Sequence, residues 1–368
     1  MCGVFVAIVV AAVLVPGASF GGTVYPCPSD PGFCYRDIGD DGCFDAGVDE
    51  GPINDEIQSS TTIDPAPPPG SVICPPSVEV LEREYGDIVV TTPSGSSIRF
   101  YGRPKISPAL QLYSGGDILL QGTVEMYIGR CDWFCTNTFF AEGNVLLEAS
   151  ILTFGFGKSW NSYLRVQSDT GDVIIGPKTR HGNSNNDVRA LAGNVTILEK
   201  VNFNKGNLTV RADGELSADG LRVKSYFIAS VEGISLAGRT KARWYSLDAG
   251  AGDFSTEGLQ ASGGGKFEIA GHNITIGTSP TERTRHKGGL KIDATGDIRI
   301  LGLVQGARDK STVLTTTGTL IEVLGSKMSN ARNRWFDITA GPGSTCDLTG
   351  TTFKKRRPDV RCDTVIGP

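Results

Sequence analysis

One recurring phrase restricts what this chain can fold into: a glycine, then Asp or Asn, then alternating apolar residues. It reads GDIVV from Gly86, GDILL from Gly116, GNVLL from Gly143, GDVII from Gly171, GNVTI from Gly193, GNLTV from Gly206 and GDIRI from Gly296. Looser copies are GISL at Gly233, GHNITI at Gly271 and GTLIEV at Gly318. The first intervals are 30, 27, 28 and 22 residues, and later ones 25 and 22. Alternation places every second side chain on one face of a strand. So short a strand cannot bury that face alone, but copies stacked about 4.8 Å apart bury it continuously. Gly and Asp or Asn suit a left-handed corner ahead of each strand. Further strands fill the intervals: TVEMYI after Gly122, SILTF from Ser150, LRV at Leu221, FEI at Phe267 and LKI at Leu290. The regular LxxLxL of leucine-rich repeats and a sustained 3.6-residue period are both missing. The expected class is all-β, a single elongated parallel β-helix over residues 78–353.

The two ends differ from this body. Val4 to Val15 is an unbroken apolar run of twelve residues, too short to span a bilayer and suited to a signal-peptide core. Small residues follow in PGASFGG, so residues 1–21 are expected to be cleaved and the mature chain exported without a transmembrane span. Eight cysteines remain: Cys27, Cys34, Cys43, Cys74, Cys131, Cys135, Cys346 and Cys362. Their even number and clustering toward the ends fit an oxidising compartment and a solenoid stapled where it would fray. The first four should staple a small N-terminal module in one of three connectivities. Cys131–Cys135 should close a loop, and Cys346–Cys362 the last coil. Residues 59–77 are Pro-rich and read as a linker, and 354–368 as a basic, disulfide-closed tail.

Charge is unevenly spread. The whole chain carries −5. The stretch from Gly22 to Gly70 holds ten acidic residues and one basic residue, Arg36. Within its module, residues 22–58, Asp37, Asp41, Gly42 and Asp45 fall at positions 1, 5, 6 and 9 of an EF-hand-like loop. Gly39 and Val48 depart from that pattern at positions 3 and 12, with Asp49 or Glu50 available as the closing carboxylate. Asp37, Asp41, Asp45, Asp49 and Glu50 are thus the candidate ligands of one weak calcium site. Three Asn-x-Thr sequons, at Asn194, Asn207 and Asn273, coincide with repeat phrases and read first as repeat positions.

The GDIxI and GNVTI phrases resemble the repeats of filamentous-haemagglutinin-type adhesins and related secreted parallel β-helices. The resemblance covers roughly residues 78–353. It implies a right-handed solenoid, a place outside the cytoplasm (extracellular, periplasmic or on the cell surface) and a structural or adhesive role with a strand-lined binding face. Expected partners are a surface polysaccharide or another envelope protein, and the mild net charge argues against nucleic acid. The competing expectation is a polysaccharide lyase or glycoside hydrolase with a groove along the coils. It lacks the NTD and RIK phrases of polygalacturonases, and the only DD pair, Asp40-Asp41, lies outside the β body. No residue is assigned as catalytic. His181 in the loop TRHGNSNND, and Arg239, Lys241, Arg243 and Trp244 in GRTKARWY, are the candidate binding residues.

Overall fold

The computed structural model describes side chains over residues 111–120, 137–147, 162–260, 267–281, 286–306, 311–329, 335–354 and 357–367. It also places the backbone of strands from Val24–Cys27 onward. The signal-peptide stretch and the calcium-ligand candidates Asp37, Asp41, Asp45, Asp49 and Glu50 lie outside the described residues. So do Cys43, Cys74 and Cys131. Cys27, Cys34 and Cys135 are placed by strand only.

Among the described residues every element is a β-strand. The chain winds as a parallel β-solenoid with three sheets. The first stacks fourteen strands, among them Leu110–Gly115, Phe134–Ala141, Asn161–Ser168, Asn185–Ala190, Asn207–Ala212, Tyr226–Ser230 and Trp244–Asp248. The second contains Ile118–Leu120, Val145–Leu147, Val173–Ile175, Val195–Ile197 and Leu216–Asp219. The third contains Ile151–Phe154, Arg180–His181, Asn202–Phe203 and Arg222–Val223. Two long strands, Ile234–Ala242 and Phe254–Ala261, run around the corner and join the second and third sheets. Among the described residues only Val24–Cys27 and Asp30–Arg36 pair antiparallel, as a separate two-stranded sheet.

Register sets the coil length directly. From Val145 to its partner Val173 one coil takes 28 residues, and from Leu216 to Ile234 only 18. The shorter coil lies below the spacing of the phrases, as first-sheet strands shorten from eight residues in Asn161–Ser168 to five in Tyr226–Ser230. Thr61–Thr62 already pairs with Val90 and Thr91. At the other end Asp359–Arg361 and Thr364–Ile366 continue two sheets, and Cys346 and Cys362 are bridged at a Cα separation of 5.9 Å.

Inward columns are apolar. Val145, Val173, Val195 and Leu216 stack in one, and Leu147, Ile175, Ile197 and Ala218 in the next, all buried. Each large side chain so buried contributes about 1.5–3 kcal/mol. Phe227, Tyr245 and Phe267 continue the filling as rings with centroids 6.0 and 5.2 Å apart.

The recurring Gly–Asp/Asn pair works differently from the expected left-handed corner. Left-handed residues recur on successive coils at the corner between the second and third sheets: Lys178, Lys200, Gly220 and Gly238, with φ of 61°, 62°, 64° and 58°. At the corner ahead of the second sheet Gly250 and Gly343 adopt positive φ, whereas the phrase glycines Gly143, Gly171, Gly193 and Gly296 do not. The phrase itself builds a side-chain ladder at the opposite end of the second sheet. Asp117 Oδ1 accepts from the Asn144 backbone N–H at 2.6 Å and from its side-chain amide at 3.2 Å. Asn144 Oδ1 accepts from Asp172 N–H at 2.9 Å, and Asp172 Oδ1 from Asn194 N–H at 2.7 Å. Asp253, Asn273 and Asp297 repeat the arrangement further along. Asp alternates with Asn, so each carboxylate meets an amide rather than another negative charge, which would be destabilising. The glycine leaves room for the ladder: a Cβ on Gly171 would stand 2.5 Å from Asn144 Oδ1. The sequon residues Asn194 and Asn273 are rungs of this ladder, their amides engaged with Asp172 and Asp253.

Two phrases belong elsewhere. GNLTV at Gly206 and GDIVV at Gly86 open strands of the first sheet, paired with Asn185–Ala190 and Leu110–Gly115. A turn followed by alternation suits the start of any strand, and stacking partners decide which sheet it joins.

Candidate functional site

The third sheet differs from the other two in charge. Over four consecutive coils its strands and adjoining corners read KTRHG (178–182), KVNFNK (200–205), GLRVKS (220–225) and GRTKAR (238–243). These segments hold nine Lys and Arg and no Asp or Glu, in a chain whose net charge is −5. Alternation separates the two faces: Leu221, Val223, Thr240 and Ala242 are buried, while Arg222, Lys224, Arg239 and Arg243 are exposed and Lys241 is half-exposed. Register then aligns the outward residues into a column, Arg180 beside Asn202, Asn202 beside Arg222, Arg222 beside Lys241, and Lys241 beside Gln260.

Several cations elsewhere on the solenoid are paired, although Arg165 and Arg211 on the first sheet are exposed and form no ion pair among the described residues. Arg189 pairs with Asp187 at 2.6 Å, Lys291 with Asp293 at 2.5 Å and Arg361 with Asp359 at 3.1 Å on the first sheet. Arg299 pairs with Glu322 at 2.5 Å on the second. The hydrogen bond that Arg189 donates to Asp187 raises the Arg189 pKa further. On the third sheet Lys200 meets Glu199 at the corner, whereas Arg222, Lys224, Arg239, Lys241 and Arg243 form no ion pair among the described residues. Arg222 and Lys241 stand directly opposite each other, an arrangement that costs about 0.2–1 kcal/mol. The second sheet's outward column over these and the next coils is uncharged: Thr196, Ser217, Ser235, Ser255 and Thr275.

An aromatic pair adjoins this face. Tyr226 and Trp244 open the first-sheet strands that directly follow Ser225 and Arg243. They are register partners with ring centroids 5.4 Å apart, and Tyr226 is 43% exposed.

Of the sequence candidates, Arg239, Lys241 and Arg243 share the outward side of the third sheet, with Trp244 at its border. His181 does not join them. It points into the core, stacked on Phe203 at 4.9 Å, and its Nε2 lies 3.1 Å from the Thr179 hydroxyl. Burial lowers its pKa to about 3, so the ring is neutral. Its loop reads first as a long turn that could line a groove, and the residue fills an inward strand position. His286 is a second buried histidine, edge-on to Phe267 at 4.1 Å and likewise lowered to about 3 by burial. Neither of its ring nitrogens has a hydrogen-bond partner. Sequence reasoning missed Lys178, Arg180, Arg222 and Lys224. They are scattered along the chain, and only alignment by coil brings them beside Lys241.

No group of three or more His, Cys, Asp or Glu suited to a metal occurs among the described residues. A shallow depression of about 230 Å³ lies near the C-terminal end, lined by Trp335, Phe336, Asp337, Arg357 and Asp359. No protein-family model, curated protein or solved structure matches the chain.

Proposed function

We propose that this is an exported, adhesin-like solenoid whose task is to hold a flat, strand-lined face rigidly toward a surface polysaccharide or an envelope protein. The observation that carries this reading is the third sheet, where unpaired cations are kept in register over successive coils at a cost to the fold. Binding faces tolerate such local costs, and stability alone does not produce them. A calcium ion held by Asp37, Asp41, Asp45 and Asp49 or Glu50 would order the N-terminal module, and calorimetric titration of the full chain with calcium tests that element separately.

The second reading, a polysaccharide-degrading enzyme, is favoured by the depression near Trp335. There Asp337 and Asp359 are register partners on adjacent strands, and glycosidases use paired carboxylates. Against it, the Asp359 carboxylate is already engaged by Arg361 at 3.1 Å. Incubating the purified full chain with a panel of polysaccharides separates the readings. Retention without cleavage is expected. Reproducible release of shorter products from any member would overturn the adhesive reading and put D337N first among the variants to assay.

A further inference from the structure

We infer that the third sheet, over residues 178–243, binds a linear anionic polysaccharide: a chain of carboxylated or sulfated sugars laid along the solenoid axis. This rests on the reading of the solenoid as a binding protein and names the ligand class of that same face.

Charge complementarity is the first support. In the outward column Arg180, Asn202, Arg222, Lys241, with rungs about 4.8 Å apart, cations hold three of the four positions and Asn202 the second. A second outward position, two residues on, carries Lys224 and Arg243 on the last two of these coils. A polymer with a charge on successive sugars meets several such positions at once, and each contact adds affinity without a pocket. A small anion would find a single contact on this column where a chain finds several. Arg222, Lys224, Arg239, Lys241 and Arg243 form no ion pair among the described residues, which leaves them for an outside anion.

The aromatic pair is the second, independent support. Tyr226 and Trp244 lie on the two coils with Arg222 and Lys224, and Lys241 and Arg243. An exposed ring beside a cation suits a charged sugar, whose C–H face packs on the ring while its acidic group reaches the cation. Single-stranded nucleic acid is less well matched. It gains affinity by stacking successive bases on successive aromatics, and here one aromatic pair sits at the border of a face otherwise free of described aromatic side chains on its outward side.

The test is binding of the purified full chain to four immobilised probes: heparin as a sulfated glycan, polygalacturonate as a carboxylated one, neutral dextran and a single-stranded oligonucleotide. A synthetic peptide of residues 36–58, the chain's own acidic stretch, is a fifth probe. The variants are R222Q/K241Q, W244A and, as a control of equal charge change on the first sheet, R165Q/R211Q. The expected result is salt-sensitive binding to at least one anionic glycan and none to dextran. R222Q/K241Q should weaken it about tenfold or more, W244A by a smaller factor, and R165Q/R211Q by less than twofold. R222Q/K241Q should melt no lower than the parent, since it removes a like-charge opposition. Equal loss in both double variants would mean bulk charge and would overturn the proposal. So would tighter binding of the oligonucleotide or the peptide than of either glycan, or no glycan binding by folded protein. Cleavage of polygalacturonate would sink the non-enzymatic reading and leave the assignment of this face standing, so the two failures are distinguishable.

Discussion

Mild acid should destabilise this fold through two residues in its core. His181 and His286 are buried with their pKa values lowered to about 3. In the unfolded chain each returns to about 6.5. Between these values the unfolded state binds the extra protons, so stability falls as pH falls through this window and levels off below about pH 3. Above pH 6.5 neither histidine contributes any pH dependence. The slope is about 1.4 kcal/mol per pH unit for each ring. From pH 7 to pH 5 that is a loss of about 2 kcal/mol per histidine, or about 4 kcal/mol together. At pH 5 the loss depends only on the unfolded value, because the folded values lie far below it. Urea unfolding followed by tryptophan fluorescence at the two pH values measures it directly. H181F/H286F keeps an aromatic ring against Phe203 and Phe267 and should lose little over the same range. Unchanged parental stability between pH 7 and pH 5, or an equal loss in the double variant, would refute the assignment.

Four further outcomes are expected. N144D places a third carboxylate between Asp117 and Asp172 and removes the amide that bridges them; it should cost about 1 kcal/mol or more at neutral pH, and acid titration of the unfolding midpoint should recover part of it. G171A drives a methyl group to within 2.5 Å of Asn144 Oδ1 and should cost about 1–3 kcal/mol, whereas G306A, with nothing within 4 Å, should melt with the parent. C346S/C362S opens a bridge of sequence separation 16 and should lower denaturant stability by about 3 kcal/mol, an effect reproduced by reducing the parent. K200G relaxes a side-chain-bearing residue at φ 62° and should raise the melting temperature while weakening glycan binding.

The parallel solenoid was legible because a tight turn followed by alternation leaves a mark on neighbouring residues. GNVTI at Gly193 and GISL at Gly233 could be placed on one face because each contains its own pattern. What the phrase does to its neighbours was not legible. That Asn144 meets Asp117 and Asp172 depends on the corners between them closing at compatible lengths, and the residues of those corners give no local measure of that. The third sheet was legible only in part, at TVEMYI, SILTF and LRV, for the same reason. Its described strands are as short as two residues, Arg180–His181 and Arg222–Val223, too brief for a period to show. GRTKARWY drew notice only because three cations fall together in one strand and its end. His181 was misplaced because a polar loop composition surrounds it, while the strand that buries it has only one inward position.

The corner residues at Lys178 and Lys200 bear on what the third sheet is for. The next two coils fill the same corner with Gly220 and Gly238, which adopt positive φ without a Cβ penalty. A lysine there adds about 1–2 kcal/mol of backbone strain and gains no core contact, since both side chains are exposed. Lys200 meets Glu199, an exposed pair of the kind that contributes little. Backbone strain at Lys178 and Lys200 and the unpaired, opposed Arg222 and Lys241 fall on or beside the third sheet, whereas the second carries the Asp–Asn ladder and the first carries the Arg189–Asp187 and Lys291–Asp293 pairs. Costs gathered on one side of a repeating scaffold, where each coil could have adopted its neighbour's cheaper solution, point to a constraint imposed from outside the fold. A ligand that spans several coils is such a constraint, because it acts on all of them in register.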